Sequence, residues 1–412
     1  MLRIAPGSSG PADADQPKLE QQGRLDMFGF LKRKRRTLIG MDIGSHVVKC
    51  LRLDLSGERP QVTHFGMADL PPEAIVDGEI MDRELVIQTI REAAQRADLP
   101  NEPVASAVAG RAVIVKKIVM DKMSEADARE AIYWEAEQHV PFDIDDITLD
   151  FQILQPDIGA GQMELLLVAA KKDMIQAHAE LIRDAGFTPL VIDVASFANQ
   201  NAWEKLRKNA PVAAAAAPSA DTVDGLAPFD DDQPDTAPAA LVGAGEFVAL
   251  LDVGGGVTNV HIVRDGVPYF TRDLPIGTSH FIEEFQKQLG LTWDTAFRVS
   301  RGHTEDADMQ LIGDIVRSVG GEIYQGLEPS LSYLKTAGEA DGIDRIVLSG
   351  GGAHLPGLKQ YLAESYGVPA ELADPLSSLD YASDLFGDAE PSDLSPLLAV
   401  CVGLALREAV EA

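Results

Sequence analysis

The order of apolar and polar positions repeats itself along this chain. Residues 37–41 form a short apolar run that predicts a strand leading into Asp42-Ile43-Gly44-Ser45, and residues 47–53 predict its return. Far downstream, residues 247–251 run into Asp252-Val253-Gly254-Gly255-Gly256, and residues 257–263 follow. Each pair continues into a third predicted strand (61–65 and 269–273) and a helix (83–97 and 278–289). The repeated unit is a supersecondary motif rather than a short tandem repeat. Between the copies, residues 126–140 predict a helix with Ile132, Ala136 and Val140 on one buried stripe. Trp134 lies off that stripe, either as an exposed anchor for a partner or packed on a neighbouring subdomain. A further apolar strand, 345–348, opens into Ser349-Gly350-Gly351-Gly352-Ala353-His354.

Two stretches break the pattern. Residues 1–26 lack periodicity and carry Pro6, Gly7, Gly10 and Pro11, which reads as disorder. Met27-Phe28-Gly29-Phe30-Leu31 then precedes five basic residues, 32–36, and looks like a second natural start. That basic run is either a solvated approach to the first strand or a weak contact with acidic lipid or a partner. Residues 211–245 combine an alanine run, Asp230-Asp231-Asp232 and five prolines with no basic residue, which reads as a flexible linker between two ordered halves.

Charge and cysteine content narrow the partners. In 412 residues, 35 basic against 65 acidic side chains give −30, which argues against nucleic acid. Cys50 and Cys401 cannot make a disulfide framework or a metal cage, so a reducing, cytoplasmic compartment is expected. The longest apolar stretch, 397–406, falls short of the ~18 residues that span a bilayer.

The turns carry the candidate chemistry. In an Asp-x-Gly hairpin turn the glycine lets backbone N–H groups approach a phosphate, and a small hydroxyl residue adds a donor. Gly44 and Ser45 fill these places in the first turn; Gly254, Gly255, Gly256, Thr258 and Asn259 fill them in the second. The aspartates, Asp42 and Asp252, repel phosphate directly and suit Mg²⁺ held through water. One such turn is weak evidence; two with matching aspartates make a clamp around a triphosphate. Gly350, Gly351, Gly352 and Ala353 would let a flat ring and sugar lie against bare backbone.

With these residues the chain resembles the superfamily of actin, sugar-kinase and heat-shock-chaperone ATPases, from about residue 37 to 407 outside the linker. The resemblance implies an α/β fold of duplicated actin-like, ribonuclease-H-like domains around a nucleotide cleft, with ATP and Mg²⁺ as cofactors. It makes Asp42 to Ser45 the first phosphate motif, Asp252 to Thr258 the second and Ser349 to Ala353 the adenosine motif. Residues 192–196 and 399–406 take the places of the connecting helices, and Gly277 that of the glycine beside the ribose. Gly40-Met41-Asp42-Ile43-Gly44-Ser45, Lys49 and Trp134-Glu135-Ala136-Glu137-Gln138-His139-Val140-Pro141-Phe142 are similar to the FtsA and PilM branch, and to the PilM family of type IV pilus proteins in particular. That branch carries a small inserted α/β subdomain. Relatives also carry Glu-x-x-Arg-Ser before the adenosine motif; this chain has Glu322 and Gln325-Gly326, losing a cation that could stack on adenine.

The domain plan expected on these grounds has an extension (1–36), domain I (37–103), the insert (104–195), a connecting helix (196–210), the linker (211–245) and domain II with a return helix (246–407). The PilM resemblance implies a cytoplasmic ATP-binding scaffold, at most a slow ATPase, peripheral at the inner membrane in pilus assembly and twitching motility. It would dock the N-terminal tail of PilN between domain I and the insert, along strands around 104–119 and 163–169, and link that platform to the motor ATPases. Homo-oligomerisation stays open. The alternatives are an FtsA-like division protein and a small-molecule kinase. The kinase lacks an obvious catalytic carboxylate here, and the FtsA-like reading lacks a terminal basic amphipathic helix. His46 and His354 read as residues flanking the motifs, since no metal-ligand spacing includes them.

Overall fold

The computed structural model describes residues 2–3, 35–76, 78–110, 112–207, 245–304, 308–336, 338 and 340–410. Apart from 2–3, 35–36 and 245, the expected N-terminal extension and linker lie outside the described residues.

Domain I is built on β1 (Leu2–Arg3), β3 (Ile39–Ile43), β4 (Val47–Asp54), β5 (Gln61–Asp69), β8 (Val104–Val108), β12 (Pro189–Val194) and β18 (Asp380–Tyr381), in the order β1-β12-β8-β3-β4-β5-β18. The meander β3-β4-β5 is antiparallel, whereas β8 runs parallel to β3, and β12 parallel to β8. Helices cover both faces, and the parallel strands β8 and β12 accordingly read as nearly continuous apolar runs, whereas β4 and β5 are interrupted by polar residues such as Arg52, Gln61 and His64. On one face lies α1 (Arg83–Arg96), started by the Asp82 carboxylate accepting from the Leu85 N–H at 3.0 Å. Val86, Ile87, Ile90, Ala93 and Ala94 form its buried stripe. A short hairpin, β6 (Ile75–Val76) with β7 (Glu79–Ile80), precedes it.

The insert is a separate three-stranded antiparallel sheet, β10-β11-β9, made of β9 (Val113–Asp121), β10 (Ile147–Gly159) and β11 (Gln162–Lys171). Across it lies α2 (Glu125–His139), whose Ala128, Ile132 and Ala136 pack with Ile118, Met163, Leu165 and Leu167. The chain then returns through α3 (Lys172–Asp184) and β12 to α4 (Ala195–Arg207). The insert is therefore narrower than 104–195: β8 and β12 are strands of the domain I sheet, and the separate sheet occupies 113–171. Parallel pairing joins strands distant in sequence, so no local pattern marks that boundary.

Domain II repeats the plan of domain I. It has β13 (Val248–Val253), β14 (Thr258–Arg264), β15 (Val267–Leu274), β16 (Arg345–Ser349) and β17 (Ala370–Leu372) in the order β15-β14-β13-β16-β17. Again an antiparallel meander is extended by two parallel strands, so β17-β16-β13-β14-β15 mirrors β12-β8-β3-β4-β5. Covering it are α5 (Thr278–Leu289), α6 (Trp293–Ser300), α7 (Met309–Thr336) and α8 (Leu358–Tyr366). Phe281, Phe285, Ile312, Ile323 and Leu348 lie in its core.

After β17 the chain goes back to domain I. β18 pairs with β5, a short α9 (Pro391–Leu394) follows, and α10 (Ala399–Ala405) lies buried against β3 and α4. Its end is tied by Arg407, which donates to the buried Asp193 carboxylate from Nε at 2.7 Å and Nη2 at 2.6 Å. The last strand, β19 (Glu408–Val410), pairs with β2 (Arg35–Thr37), so the end of the basic run is backbone-paired rather than a free approach. Among the described residues no helix is long and apolar enough to cross a membrane.

Candidate functional site

Both sequence-predicted turns fold as the same device. In the first, the Gly44 N–H donates to the Val47 carbonyl at 3.2 Å; in the second, the Gly254 N–H donates to the Val257 carbonyl at 2.9 Å. Asp42 stands across the hairpin from Lys49, and Asp252 across from Asn259. The two turns meet at the middle of the molecule: a Cβ placed on Gly255 would lie 3.0 Å from Ser45 Cβ and 3.1 Å from His46 Nδ1.

A charge cluster lies at this junction. Lys49 Nζ is 2.7 Å from Asp42 Oδ2. Burial alone would depress Lys49, but Asp42, and Asp252 beyond it, hold its ammonium above the usual lysine range. Burial and the neighbouring Asp42 push Asp252 up to about 6, against the opposing pull of Lys49 and the Ser349 hydroxyl. Ser349 donates to Asp252 Oδ1 at 3.1 Å and accepts from Asn199 Nδ2 of α4 at 2.9 Å. Two carboxylates sharing one ammonium leave one negative charge in excess, which suits a hydrated divalent cation. Replacing Lys49 with methionine should therefore raise the Asp252 carboxyl above about 6, read by carbon-13 NMR titration. An unchanged value would mean that Lys49 does not act on Asp252.

The glycine-rich loop lies against the second turn. Gly350 has φ of +79°, and a Cβ there would meet Asp252 Oδ1 and the Val253 carbonyl, both at 2.6 Å. Only glycine meets both demands. Gly351, Gly352 and Ala353 follow as a single 3₁₀ turn, with Gly352 pressed on the Val253 side chain. Gly277 begins α5 directly on the second turn, where the Thr278 and Ser279 N–H groups donate to the Gly254 and Gly255 carbonyls at 2.9 Å each.

Several expected roles change. The Thr258 hydroxyl is no free donor: it is buried and donates to the Ile276 carbonyl at 2.6 Å, fastening the turn to the segment before α5. Asn259 donates to Asp273 Oδ1 at 2.6 Å, and Asp273 also accepts from the Gly110 N–H, joining domain II to the end of β8. Beside Asn259, a cavity of about 260 Å³ opens between the domains, lined among others by Gly110, Val113, Ser196 and Asp273. Glu322 and Gln325 are exposed on α7, and no hydrogen bond among the described residues ties them to the cluster. His354 accordingly flanks, bonded to the Asp393 carbonyl at 2.7 Å, but His46 does not merely flank: it is buried between the domains. The sequence reading passed over Asn199 and Asp273, because their partners come from other elements. Ser349 was legible as the head of its glycine run.

The strands expected to hold a peptide also change. β8 is paired on both sides, by β12 and β3, and β11 by β10 and β9, so neither offers free backbone. The unpaired edges of the insert sheet are those of β9 and β10, while the outer edge of β12 carries Leu2–Arg3 as β1, opposite Ile192 and Val191. Trp134 is 74 % exposed on α2, with Tyr133 beside it also exposed.

Two copies of one α/β plan, joined by crossing helices around matched turns, define an actin-like fold with a central cleft. The sequence family described as type IV pilus assembly protein PilM matches residues 40–222 and 238–409, and the chain belongs to that family. It is similar to the solved PilM–PilN type IV pilus biogenesis complex, with 25 % identity and a TM-score of 0.72 over 90 % of this chain and 98 % of that one. Its likeness to the ethanolamine utilization protein EutJ of Carboxydothermus hydrogenoformans is one of fold, at 14 % identity and a TM-score of 0.50 over 90 % and 89 %. Over 154 residues it is 24 % identical to the cell division protein FtsA of Borreliella burgdorferi, covering 32 % of this chain and 37 % of that protein. The chain thus spans little more than a third of that relative's length.

Proposed function

We propose that this protein is an ATP-binding scaffold of type IV pilus assembly, held at the inner membrane by the N-terminal tail of a PilN-like partner and linking that platform to the motor ATPases. Family membership and the likeness to a PilM–PilN complex support the pilus role. The nucleotide part is carried by one observation: two identically built turns, each with its aspartate, face each other across a single lysine beside a glycine-rich loop. In this reading Gly44, Ser45 and Gly254 to Gly256 bring backbone N–H groups to the phosphates. Asp42 and Asp252 hold Mg²⁺ through its water shell. Gly277 and Gly350 to Ala353 border the sugar and base.

A partner tail would bind by strand addition. The outer edge of β12 already takes an extended segment, Leu2–Arg3, in antiparallel register beside the insert. Main-chain hydrogen bonds of that kind accept many sequences and leave selection to the side chains alongside. Against the kinase reading stands the interdomain cavity itself. Its carboxylate, Asp273, accepts from Asn259 at one oxygen and from the Gly110 N–H at the other, so it serves as a joint between the domains rather than as a base held ready for a substrate hydroxyl.

The test is calorimetric. Mg·ATP should bind the full chain, and Asp42→Ala or Asp252→Ala should weaken it far more than they weaken metal-free ATP. Equal losses with and without magnesium would overturn the cation role. A synthetic N-terminal peptide of the cognate PilN should bind both variants as it binds the parent. No binding to any of them would remove the pilus reading.

A further inference from the structure

His46 follows Ser45 at the tip of the first turn, where a side chain ordinarily faces water, yet only 8 % of it is exposed. Its main chain belongs to domain I, with its carbonyl accepting from the Leu70 N–H at 2.7 Å. Its ring belongs to domain II. Nε2 is hydrogen-bonded to Ser279 Oγ at 3.1 Å, in the first turn of α5. The ring meets Trp293 and Phe297 of α6 edge-on, with centroids 6.4 and 5.9 Å away. Those two rings are stacked on each other at 4.8 Å, and the Arg301 guanidinium covers Phe297 at 4.6 Å. Such edge-to-face contacts and a partly buried hydrogen bond favour one seat for the ring.

That seat adjoins the second turn. Ser279, the bonding partner, donates its own N–H to the Gly255 carbonyl, and Gly255 is the residue on which Ser45 and His46 rest. The glycine gives the second turn no side chain with which to grip the first, so beside Ser45 the grip at this contact falls to the His46 ring. Burial, and then the neighbouring Arg301, hold the imidazole down to about 4, so the ring is neutral and its seating does not depend on a proton at ordinary pH. The facing charged groups are Arg301 and, beyond it, Asp69.

We infer that His46 is an interdomain latch: its ring, plugged into the Ser279–Trp293–Phe297 slot, sets the spacing of the two turns and unseats when a triphosphate passes between them. It is a positioning residue, touching the machinery of the other domain rather than a reacting atom. Passage of a triphosphate presupposes the nucleotide site proposed above; the latch itself does not.

Three full-length variants test it: His46→Ala, His46→Gln, whose amide can still reach Ser279, and Ser279→Ala, which removes only the partner's hydroxyl. Without nucleotide, amide hydrogen exchange at residues 44–46 and 279–282 should be faster by up to about tenfold in His46→Ala, the equilibrium value of one net hydrogen bond. It should rise less in Ser279→Ala, and His46→Gln should restore part of the protection. With a fluorescent ATP analogue, association and dissociation should both quicken in His46→Ala while their ratio changes less, the signature of a gate rather than of a lost contact. Unchanged exchange in both His46→Ala and Ser279→Ala would overturn the latch, even if one variant were merely less stable. If the parent fails to bind the analogue, the nucleotide reading falls, and the exchange comparison still decides the latch.

Discussion

Replacing Gly403 with valine should destabilise the protein by about 3 kcal/mol or more, the upper range for forcing extra carbons into a packed interior. Gly403 lies in α10 where that helix crosses α4, and any Cβ there would drive into the Ala198 backbone carbonyl. The obstacle is main chain inside a helix, so no rotamer change relieves it. One turn away the same helix presses on β3, where a Cβ on Gly40 would strike the Cys401 carbonyl and come within 2.8 Å of the Ala405 nitrogen. α10 is thus held between a strand and a helix by absent side chains on both sides. The carbonyl ends of the helix are occupied as well: Asn201 donates to the Gly403 carbonyl at 2.7 Å and Lys205 to the Leu406 carbonyl at 3.0 Å. Separating the helices would break these bonds together with the Arg407–Asp193 pair. Urea unfolding measures the loss. Gly342→Ala, whose new methyl would meet open space, is the control and should stay within about 0.5 kcal/mol of the parent. A Gly403→Val protein as stable as that control would show that the helices do not cross as described.

Acid should unfold the protein well before its carboxylates are fully protonated, because three histidines are held neutral in the fold, His46 and His261 buried and His178 half-buried. Burial holds His261 at about 3, His178 at about 4, and His46, with Arg301 nearby, at about 4. His261 shows how a neutral ring is satisfied: Gln200 donates its amide N–H₂ to Glu204 and Gly266, so its oxygen faces Nε2 at 2.7 Å and takes that proton. Nδ1 is left to accept from the Thr271 hydroxyl at 2.7 Å. Unfolded histidine titrates near 6.5. Each folded value is depressed, so the stability these residues contribute is complete above pH 6.5 and is lost as pH falls from there towards 4. Each loses about 3 kcal/mol by the end of that window. Asp252, raised to about 6 in the folded chain, works the other way and regains about 2–3 kcal/mol over the same range. Asp273, whose carboxyl burial also raises, offsets a further part, and His354, lowered by burial, adds to the loss. The three large histidine losses dominate, so stability falls towards acid by an amount that matters against the roughly 5–15 kcal/mol of an ordinary domain. Urea midpoints at pH 7.5, 6 and 5 should fall in that order. A flat profile down to pH 4.5 would mean that these rings already carry protons in the folded state.

Much of the fold could be read in the sequence because it is local. A hairpin is made by neighbours in the chain, so Asp42-Ile43-Gly44-Ser45 and Asp252-Val253-Gly254-Gly255-Gly256 announced their turns, and the turn bond from each first glycine followed. The helix at 278–289 was equally legible, since its apolar stripe and its glycine ends are contiguous. The edges of the insert were not, because β8 and β12 find their partners through parallel pairing across the whole insert. The 104–108 run has the same apolar composition in either sheet.

For the site, the residue types that can surround a magnesium-bound phosphate chain are a chemical statement, and the sequence alone determined it: two aspartates, a lysine two strand positions past the first turn and three glycine-rich bends. What those groups do to one another was decided only by the tertiary structure. Thr258 looks like a donor until Ile276 takes its hydroxyl, and Asp252 is an ordinary carboxyl until burial and Asp42 raise it. His46 is a polar turn residue until a slot in the other domain receives its ring. Electrostatic and packing energies depend on distance in space, and separations such as the 233 positions between His46 and Ser279 leave no periodic trace in a chain.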